Sequence, residues 1–415
     1  MNMVTADWRP TKLDELGSVG RGKSRHRPRN ASFLYGGLYP FFQTGDIKAA
    51  NFYLTEYSQT YSDEGLAQSK LWKPGTLCIT IAANIAESAI LGIEGCFPDS
   101  VVGFVADPDK ADVRFIKYYM EILKLQMQNV SHGATQDNLS VDKLLSFDFL
   151  VPPLPIQQRI ASILSAYDEL IENSQRRIKI LEDMARGLYR EWFVQLRFPG
   201  HENHPRVASA LGEIPNGWTP KALGDVCSRI TDGSHFSPAS VEDGYPMASV
   251  KDMHDWGIDL DSCRRISSAD YADLVRNDCK PLKDDVLIAK DGSYLKHTFV
   301  VGDEQDLVIL SSIAMLRPND SIRPNFLSFA LRDPVTKERM KGIVSGVAIP
   351  RIVLKDFRRF EILVPPLETQ IDWAKRIDPM VVMCRKLILQ VENLRRTRDL
   401  LLPRLLSGQI EVEVI

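Results

Sequence analysis

Eight residues near the N-terminus have the types and the spacing that bind nucleotide phosphates. From Gly17 to Ser24 the chain reads GSVGRGKS, which fits the pattern G-x-x-x-x-G-K-[ST]. In a working loop of this kind the backbone amides and the lysine hold phosphates, and a buried strand precedes the loop while a helix follows it. Here a charged run (TKLDEL) precedes the motif and Pro28 follows it. A P-loop ATPase at Gly17-Ser24 is therefore an alternative that the local sequence opposes.

The same stretch carries cations at every second position. They are Arg21, Lys23, Arg25, Arg27 and Arg29. In an extended chain alternate side chains point to the same side, so all five would form one row. Such a row suits the phosphates of DNA, and a solvated basic loop or a dock for an acidic partner is the other interpretation.

Other polar loops contain side chains that can contact the edges of bases. The candidates are Gly133, Thr135, Gln136 and Asn138 in the first half of the chain, and Thr231, Asp232, Gly233, His235, Lys290, Asp291, Ser293, Lys296 and Arg351 in the second half. Glutamine and asparagine can pair with adenine, arginine and lysine with guanine, and glycine lets the backbone approach closely. Each loop taken alone is also an ordinary turn. Their equivalent positions in a repeat, described below, favour a shared role in binding.

No catalytic or metal-binding pattern stands out elsewhere. The cysteines lack C-x-x-C spacing and nearby histidines, so we expect reduced, mostly buried thiols instead of a zinc site or disulfides. They are Cys78, Cys96, Cys227, Cys263, Cys279 and Cys384. A glycine fingerprint for a methyl-donor site is also missing, and Asp284-Asp285 is explained by a polar turn. The sequence therefore predicts a chain without an enzyme site or metal of its own.

Length and composition predict a cytoplasmic protein of several domains. The 415 residues exceed one ordinary core, and 44% of them are hydrophobic. We find no apolar run long enough for a membrane span and no apolar block typical of a signal peptide. Because the net charge is only -3, binding to double-stranded DNA would have to come from local basic clusters.

An internal repeat organises the chain. The sequence VPPL at 151–154 recurs at 364–367, and Trp8-Arg9-Pro10 recurs as Trp218-Thr219-Pro220. Between these anchors both copies share an order of strand-like and helix-like runs. The strand-like runs are 77–81 and 286–289, and the helix-like runs are 115–123 and 326–331. The pattern predicts one mixed α/β domain at 1–150 and a second at 201–363.

After each double proline the hydrophobic period becomes helical. Heptad positions are occupied by Ile160, Leu164, Tyr167, Ile171, Ile178, Leu181, Leu188 and Trp192 in segment 151–200, and by Ile377, Leu387, Val391, Leu394 and Leu401 in segment 364–415. This spacing predicts long helices that pair as a coiled coil, although two helices each lying on its own domain would also fit. We expect Asp378-Pro379 to interrupt the second helix and Pro403 to end it near Leu402.

These features together resemble a known family. The motifs are LVPPL at 150–154 with QQRI at 157–160, EWF at 191–193, LGEIP at 211–215 with Gly217-Trp218, and LLPRLLSG at 401–408. Over essentially the whole chain, their order resembles the specificity subunits of type I restriction-modification systems. The resemblance implies a mixed α/β fold (α+β) with two target recognition domains and two long helices paired antiparallel.

The resemblance also implies partners and a division of labour. Each domain would read one half of a bipartite target, two methyltransferase subunits would bind the helices and domains, and restriction subunits would join for cleavage. S-adenosylmethionine, ATP and magnesium would then belong to those partners, and this chain would be non-catalytic. A coiled-coil scaffold without DNA readout is the rival interpretation, since it explains the helices but not the polar loops.

The lengths of the helices predict a spacer that sets the distance between two unlike half-sites. A helical spacer of roughly 40 to 58 Å compares with about 34 Å per DNA turn. Inserting seven residues into both helices should therefore change the preferred gap between half-sites, which binding to duplexes of graded gap would measure. An unchanged gap would refute the idea that the helices set this distance. Because Gly133-Ala134-Thr135-Gln136 differs from the corresponding loop 346–351, a perfectly palindromic target would also count against this interpretation.

Overall fold

The computed structural model describes residues 8–132, 139–209, 212–292, 295–345 and 350–413. It divides into two compact units, of which unit 1 holds Met1–Gln175 with Leu389–Ile415 and unit 2 holds Arg176–Ile388. Some candidate residues lie outside the described residues. They are Gly133, Thr135, Gln136, Asn138 and Ser293.

Unit 1 is a mixed α/β domain followed by helix. Its strands are β1 (Arg9–Thr11), β2 (Gly17–Arg21), β3 (Tyr35–Phe41), β4 (Tyr53–Leu54), β5 (Gln59–Tyr61), β6 (Leu77–Thr80), β7 (Ser88–Leu91), β8 (Val101–Ala106) and β9 (Phe149–Val151). Its helices are α1 (Thr44–Ala49), α2 (Asp63–Ala67), α3 (Val113–His132) and α4 (Val141–Ser146), and α5 (Leu154–Tyr189) begins in this unit. The main sheet has the order β2-β8-β6-β7-β4.

Unit 2 repeats this organisation with additional short strands. The strands are β10 (Arg206–Ser209), β11 (Gly212–Pro215), β12 (Thr219–Ala222), β13 (Cys227–Asp232), β14 (Tyr245–Ala248), β15 (Met253–His254), β16 (Gly257–Ile258), β17 (Arg264–Ile266), β18 (Val286–Ala289), β19 (Thr298–Val300), β20 (Val308–Ile309), β21 (Ile313–Pro318), β22 (Val344–Ser345), β23 (Arg351–Ile352) and β24 (Glu361–Val364). The helices are α6 (Leu223–Val226), α7 (Ser268–Arg276), α8 (Pro324–Arg332), α9 (Pro334–Met340), α10 (Leu354–Arg359) and α11 (Leu367–Leu406), the last of which ends in unit 1.

The two domains share their sheet topology and their register. The order β13-β21-β18-β19 in unit 2 matches β2-β8-β6-β7 in unit 1. The pairing of β1 with β9 is also repeated by β12 with β24, with Pro10 opposite Leu150 and Pro220 opposite Leu363. The predicted mixed α/β repeat is confirmed.

Burial on both faces explains the continuous apolar runs of the central strands. In β6, Leu77 and Ile79 pack with the residues of α3, whereas Cys78 packs on the opposite face with Trp72 and Phe97. Strand β18 is likewise divided between two apolar clusters. A strand covered on both faces loses the alternation of polar and apolar residues, which is why neither of these two runs alternates.

A buried glutamine joins each long helix to its own domain. The Gln157 carboxamide accepts a hydrogen bond from the Asp112 amide (3.1 Å) and donates to the carbonyls of Lys110 (3.0 Å) and Pro152 (2.9 Å). In unit 2, Gln370 forms the same three bonds to the equivalent backbone groups. They are the Arg323 amide (2.8 Å) and the carbonyls of Ser321 (3.2 Å) and Pro365 (2.9 Å). Both glutamines are fully buried, so these bonds replace all of their contacts with water.

Helix α11 is continuous, and the expected interruption at Asp378-Pro379 is wrong. The helix also runs through Pro403 and ends at Leu406 instead of near Leu402. Each proline removes one helical hydrogen bond, at a cost of about 3 kcal/mol. Both prolines lie on the exposed face, where water can hydrate the freed carbonyls, while the opposite face is buried. The packing of that buried face keeps the helix intact.

Every predicted seam position on the two long helices is buried or half-buried. In unit 1, Ile160 and Leu164 share an apolar cluster with Leu405 and Leu406, and Arg398 forms a salt bridge with Asp168. Residues later in α5 therefore meet residues earlier in α11. The two helix segments of unit 1 are antiparallel.

Unit 2 contains the same antiparallel arrangement. The Tyr189 ring lies 5.9 Å from the Trp373 ring, and Ile178 approaches Cys384. Beyond Tyr189, the chain continues as a π-helical turn over Arg190–Val194, whose Trp192 and Phe193 enter the core of unit 2. The EWF motif therefore anchors the end of this helix segment.

Replacing Gln157 should destabilise unit 1. In Gln157→Leu the Asp112 amide and two carbonyls lose their partner, so we expect a loss of about 3 kcal/mol in the free energy of unfolding. Thermal and urea unfolding would measure the loss. The neighbouring Gln158 is exposed, and Gln158→Leu should change the stability by less than about 0.5 kcal/mol. Equal effects of the two substitutions would contradict the role given to Gln157.

Candidate nucleic-acid interface

The phosphate-loop motif does not form a phosphate loop. Residues 17–21 are strand β2, paired with β8, and the amides of Gly22 and Lys23 donate to the carbonyls of Val101 (2.8 Å) and Phe97 (3.1 Å). The backbone groups that would hold phosphate are therefore occupied, and residues 22–26 form no helix. The P-loop alternative is wrong for this geometry.

The basic segment, residues 21–29, presents all five of its cations to solvent. Gly22 and Ser24 are buried between them, so the predicted alternation is present up to Arg25. The chain then bends, and Arg27 donates to the carbonyls of Ser24 (2.7 Å) and His26 (2.8 Å). The predicted row therefore contains the first three cations and ends at Arg25, so the prediction of a single row of five is wrong.

Two cations of the basic segment are tied to one aspartate. Arg29 forms a bidentate salt bridge with Asp99 (2.9 and 2.8 Å), and Arg21 donates to the Asp99 carbonyl. The charge of Arg29 is thus already balanced by Asp99. A phosphate would have to compete with Asp99 for this side chain.

Lys23 and Arg25 have no acidic partner among the described residues, and a further lysine lies close to them. Burial and the positive charge of Lys23 lower the pKa of Lys70, whose ammonium lies 3.4 Å from the centre of the Trp72 ring. Lys70 was not predicted from the sequence, because a lone lysine in a polar stretch carries no spacing signal. Lys23, Arg25 and Lys70 together form a surface that attracts polyanions.

In unit 2 the predicted loops converge at one end of the sheet. The amide of Ile352 donates to the Lys290 carbonyl (3.1 Å), and the amide of Gly292 donates to the Pro350 carbonyl (3.0 Å). An isolated β-bridge also joins Asp291 to Arg351. Because the Lys290 side chain also contacts Asp232, the candidate residues of three separate segments, 231–235, 290–292 and 351, belong to one loop cluster.

The loop cluster contains a buried ion pair. The Lys290 ammonium is almost inaccessible and lies 3.1 Å from Asp232 and 3.3 Å from Asp291. Asp232 also lies 3.3 Å from the exposed His235 imidazole. On the surface of the cluster the His235 and Arg351 side chains are exposed, while Thr231 is half-buried; Lys296, from the neighbouring turn, is also exposed. Lys290 thus orders the loops from inside.

Equivalent positions of the two domains carry different chemistry. The backbone bonds that Lys290 makes with Ser312 and Ile352 are made in unit 1 by the buried Ile81 with Ser100 and Leu139. A buried glycine at the end of the first sheet strand is common to both domains. It is Gly22 in unit 1 and Gly233 in unit 2, and at each a Cβ would collide with a backbone carbonyl. The two domains therefore share the same backbone arrangement here, but they present different side chains.

Nothing in the described part of the chain indicates a metal site or a reactive thiol. No group of histidine, cysteine and carboxylate side chains there could hold a metal ion. The six cysteines are free and buried as predicted, and burial raises the pKa of Cys227 and Cys263 to about 12. In the same described residues, no helix is both long and apolar enough to cross a bilayer.

Comparison with known proteins identifies the family. The model of the type I restriction modification DNA specificity domain matches residues 5–183 and 215–393. The chain belongs to this family, and its function is that of a DNA sequence-specificity subunit. The two matched segments also confirm the internal repeat.

Relatives of similar length support this assignment. The chain is 23% identical to the type I restriction enzyme MjaIX specificity subunit of Methanocaldococcus jannaschii, over 99% of this chain and 95% of the relative. It is also 23% identical to the HindI specificity subunit of Haemophilus influenzae, over 98% of this chain and 100% of the relative. The fold is similar to a crystal structure of an S subunit from M. genitalium, with a TM-score of 0.62, 19% identity and 96% of each chain covered.

Replacing Asp232 should destabilise unit 2 through Lys290. In Asp232→Ala the buried ammonium loses its closer carboxylate, and we expect a loss of about 2 kcal/mol in stability. The double variant Asp232→Ala with Lys290→Ile should recover most of the loss, because Ile81 occupies the equivalent position in unit 1. Thermal unfolding would measure both variants, with the exposed Asp320→Ala as a control that stays close to wild type. A double variant as unstable as the single one would contradict the ion-pair explanation.

Proposed function

We propose that the chain reads two unlike half-sites of double-stranded DNA. The basic segment with Lys70 contacts one half-site, and the loop cluster of unit 2 contacts the other. The proposal is supported mainly by a difference in charge between the two domains, which share one fold but carry different charged side chains at equivalent positions. At these positions unit 1 presents Lys23 and Arg25, which have no acidic partner among the described residues, whereas unit 2 presents a cluster ordered by a buried ion pair.

In unit 1 the binding is mainly electrostatic. Lys23 and Arg25 lie on one side of the extended chain and are separated by the buried Ser24. Because no acidic side chain among the described residues pairs with them, they can each bind one phosphate and release its counterions. Phosphate contacts of this kind fix the position of the domain on the duplex, and they leave base recognition to neighbouring loops.

In unit 2 the exposed side chains suit base edges. Arg351 can bind guanine in bidentate fashion, and Lys296 and His235 supply further donors. The Lys290 salt bridges hold the backbone that carries Arg351, because residue 352 is hydrogen-bonded to the Lys290 carbonyl. A domain that orders its contact loops before binding loses less conformational entropy when it binds.

The chain is proposed to be non-catalytic and to supply specificity to partners. Two methyltransferase subunits and, in the full complex, restriction subunits would bring S-adenosylmethionine, ATP and magnesium. The names of the relatives, all specificity subunits, support this division. The two long helices would form a coiled-coil spacer, which is supported by the burial of the seam and by the antiparallel contacts in each unit. We also propose that the protein is located in the cytoplasm, where it would bind the DNA of the cell.

Selection from random duplex DNA separates this proposal from a scaffold without DNA readout. The chain and its methyltransferase partner would be incubated with random duplexes, and the retained DNA would be sequenced. We expect a motif of two different half-sites at a constant gap. A scaffold without DNA readout would retain no motif, and a single half-site would contradict the two-surface proposal.

The basic segment makes a quantitative prediction about salt. Each phosphate contact removed by Lys23→Ala or Arg25→Ala should lower the slope of log affinity against log salt by about 0.9. Arg29→Ala is the matched control in the same segment, because Asp99 already neutralises Arg29, and its slope should change less. Titrations of a selected duplex at several salt concentrations would measure the slopes. Unchanged slopes for Lys23→Ala and Arg25→Ala would refute the phosphate contacts.

A further inference from the structure

An apolar side chain projects from unit 1 close to the basic segment. Leu38 is 91% exposed, more than any other large hydrophobic side chain in the described residues. Single exposed hydrophobic residues are common on protein surfaces and need no explanation by themselves. Leu38 differs because the backbone that carries it is held in place on both sides.

A bulge in strand β3 produces the projection. Tyr35 and Tyr39 are both paired with Tyr61, so the three residues between them leave the ladder. Gly36 adopts a left-handed conformation with φ of +83°, and Gly37 lies so close to Ser62 that a Cβ would collide with it. The two glycines permit a bulge that a chain with side chains at these positions could not form.

Both ends of the bulge are anchored by tyrosines. The Tyr35 hydroxyl donates to the Arg29 carbonyl (2.7 Å), and the Tyr39 hydroxyl donates to Asp63 (3.0 Å). The Tyr61 ring between them is fully buried and stacks on Phe41 at 4.0 Å. Leu38 is therefore presented to solvent by an ordered framework, and its exposure does not arise from a loose loop.

The same anchors connect the bulge that carries Leu38 to the basic segment. Tyr35 connects the bulge directly to Arg29, the last residue of the basic segment. A second exposed apolar side chain, Phe33 (54% exposed), packs its ring edge-on against the His26 ring of that segment at 5.0 Å. Apolar and cationic side chains thus share one surface, which is the composition of proteins that hold the DNA backbone and insert a side chain between base pairs.

We propose that Leu38 is a wedge that enters the base stack of the duplex bound by the basic segment. This inference rests on the proposed function of that segment. The cations would hold the phosphates on either side of one base step while Leu38 separates the two base pairs. Unstacking one step costs free energy that depends on its sequence, so the wedge would add specificity at a step that makes no hydrogen bond to the protein.

An abasic-site scan tests the wedge. The full chain with its methyltransferase partner would be titrated with duplexes that carry one abasic site at successive positions of the half-site read by unit 1. We expect Leu38→Ala to bind the intact duplex about tenfold more weakly than wild type. At one position the abasic site should remove this difference, because the stack is already broken there. Leu38→Met, which keeps a long apolar side chain, should retain most of the wild-type affinity.

The matched control is another exposed leucine of the same unit. Leu125 is 72% exposed on helix α3, and Leu125→Ala should bind every duplex as wild type does. Equal affinities of wild type and Leu38→Ala for the intact duplex would overturn the wedge and leave DNA reading intact. A deficit of Leu38→Ala that no abasic position removes would also overturn it, as would a loss of methyltransferase binding with unchanged DNA affinity. Failure of the wild-type complex to bind any duplex would instead refute the proposed function.

Discussion

The buried glutamine at the start of each long helix is the contact on which the rest of the architecture depends. The carboxamides of Gln157 and Gln370 each accept one backbone hydrogen bond and donate two, so all three bonds come from one side chain. Glutamate lacks the two donors and asparagine is one methylene shorter. The three bonds connect the double proline, the first helical turn and the segment that precedes α3 or α8. The start of each long helix therefore has a determined direction relative to its own domain.

Because the backbone of each domain is fixed by these bonds, the two domains can carry different side chains at the ends of their sheet strands. Ile81 and Lys290 make the same backbone bonds, yet Ile81 lies in an apolar core and Lys290 needs two carboxylates. Removing a charge from water is costly unless a partner compensates, so a lysine at this position requires the carboxylates of Asp232 and Asp291. Differences of this type let one repeated fold present two unlike surfaces, and a bipartite asymmetric target requires two such surfaces.

Periodicity made most of the framework predictable from the sequence. Strand β18 occupies the predicted residues, Val286 to Ala289, and the heptad positions are buried because both patterns are set by which faces are covered. Contacts between distant residues were not predictable. Pro379 and Pro403 are local helix breakers whose effect is overcome by packing of the opposite face. The neutralisation of Arg29 by Asp99, the burial of Lys290 and the bulge that exposes Leu38 all depend on partners that spacing does not reveal.

Mapping methylated adenines in the host's DNA, with and without this chain, tests most directly whether the chain supplies sequence specificity. The two unlike surfaces predict one methylated motif made of two different half-sites with a constant gap, and this motif should vanish when the chain is absent. A palindromic motif, or methylation that persists without the chain, would contradict the assignment.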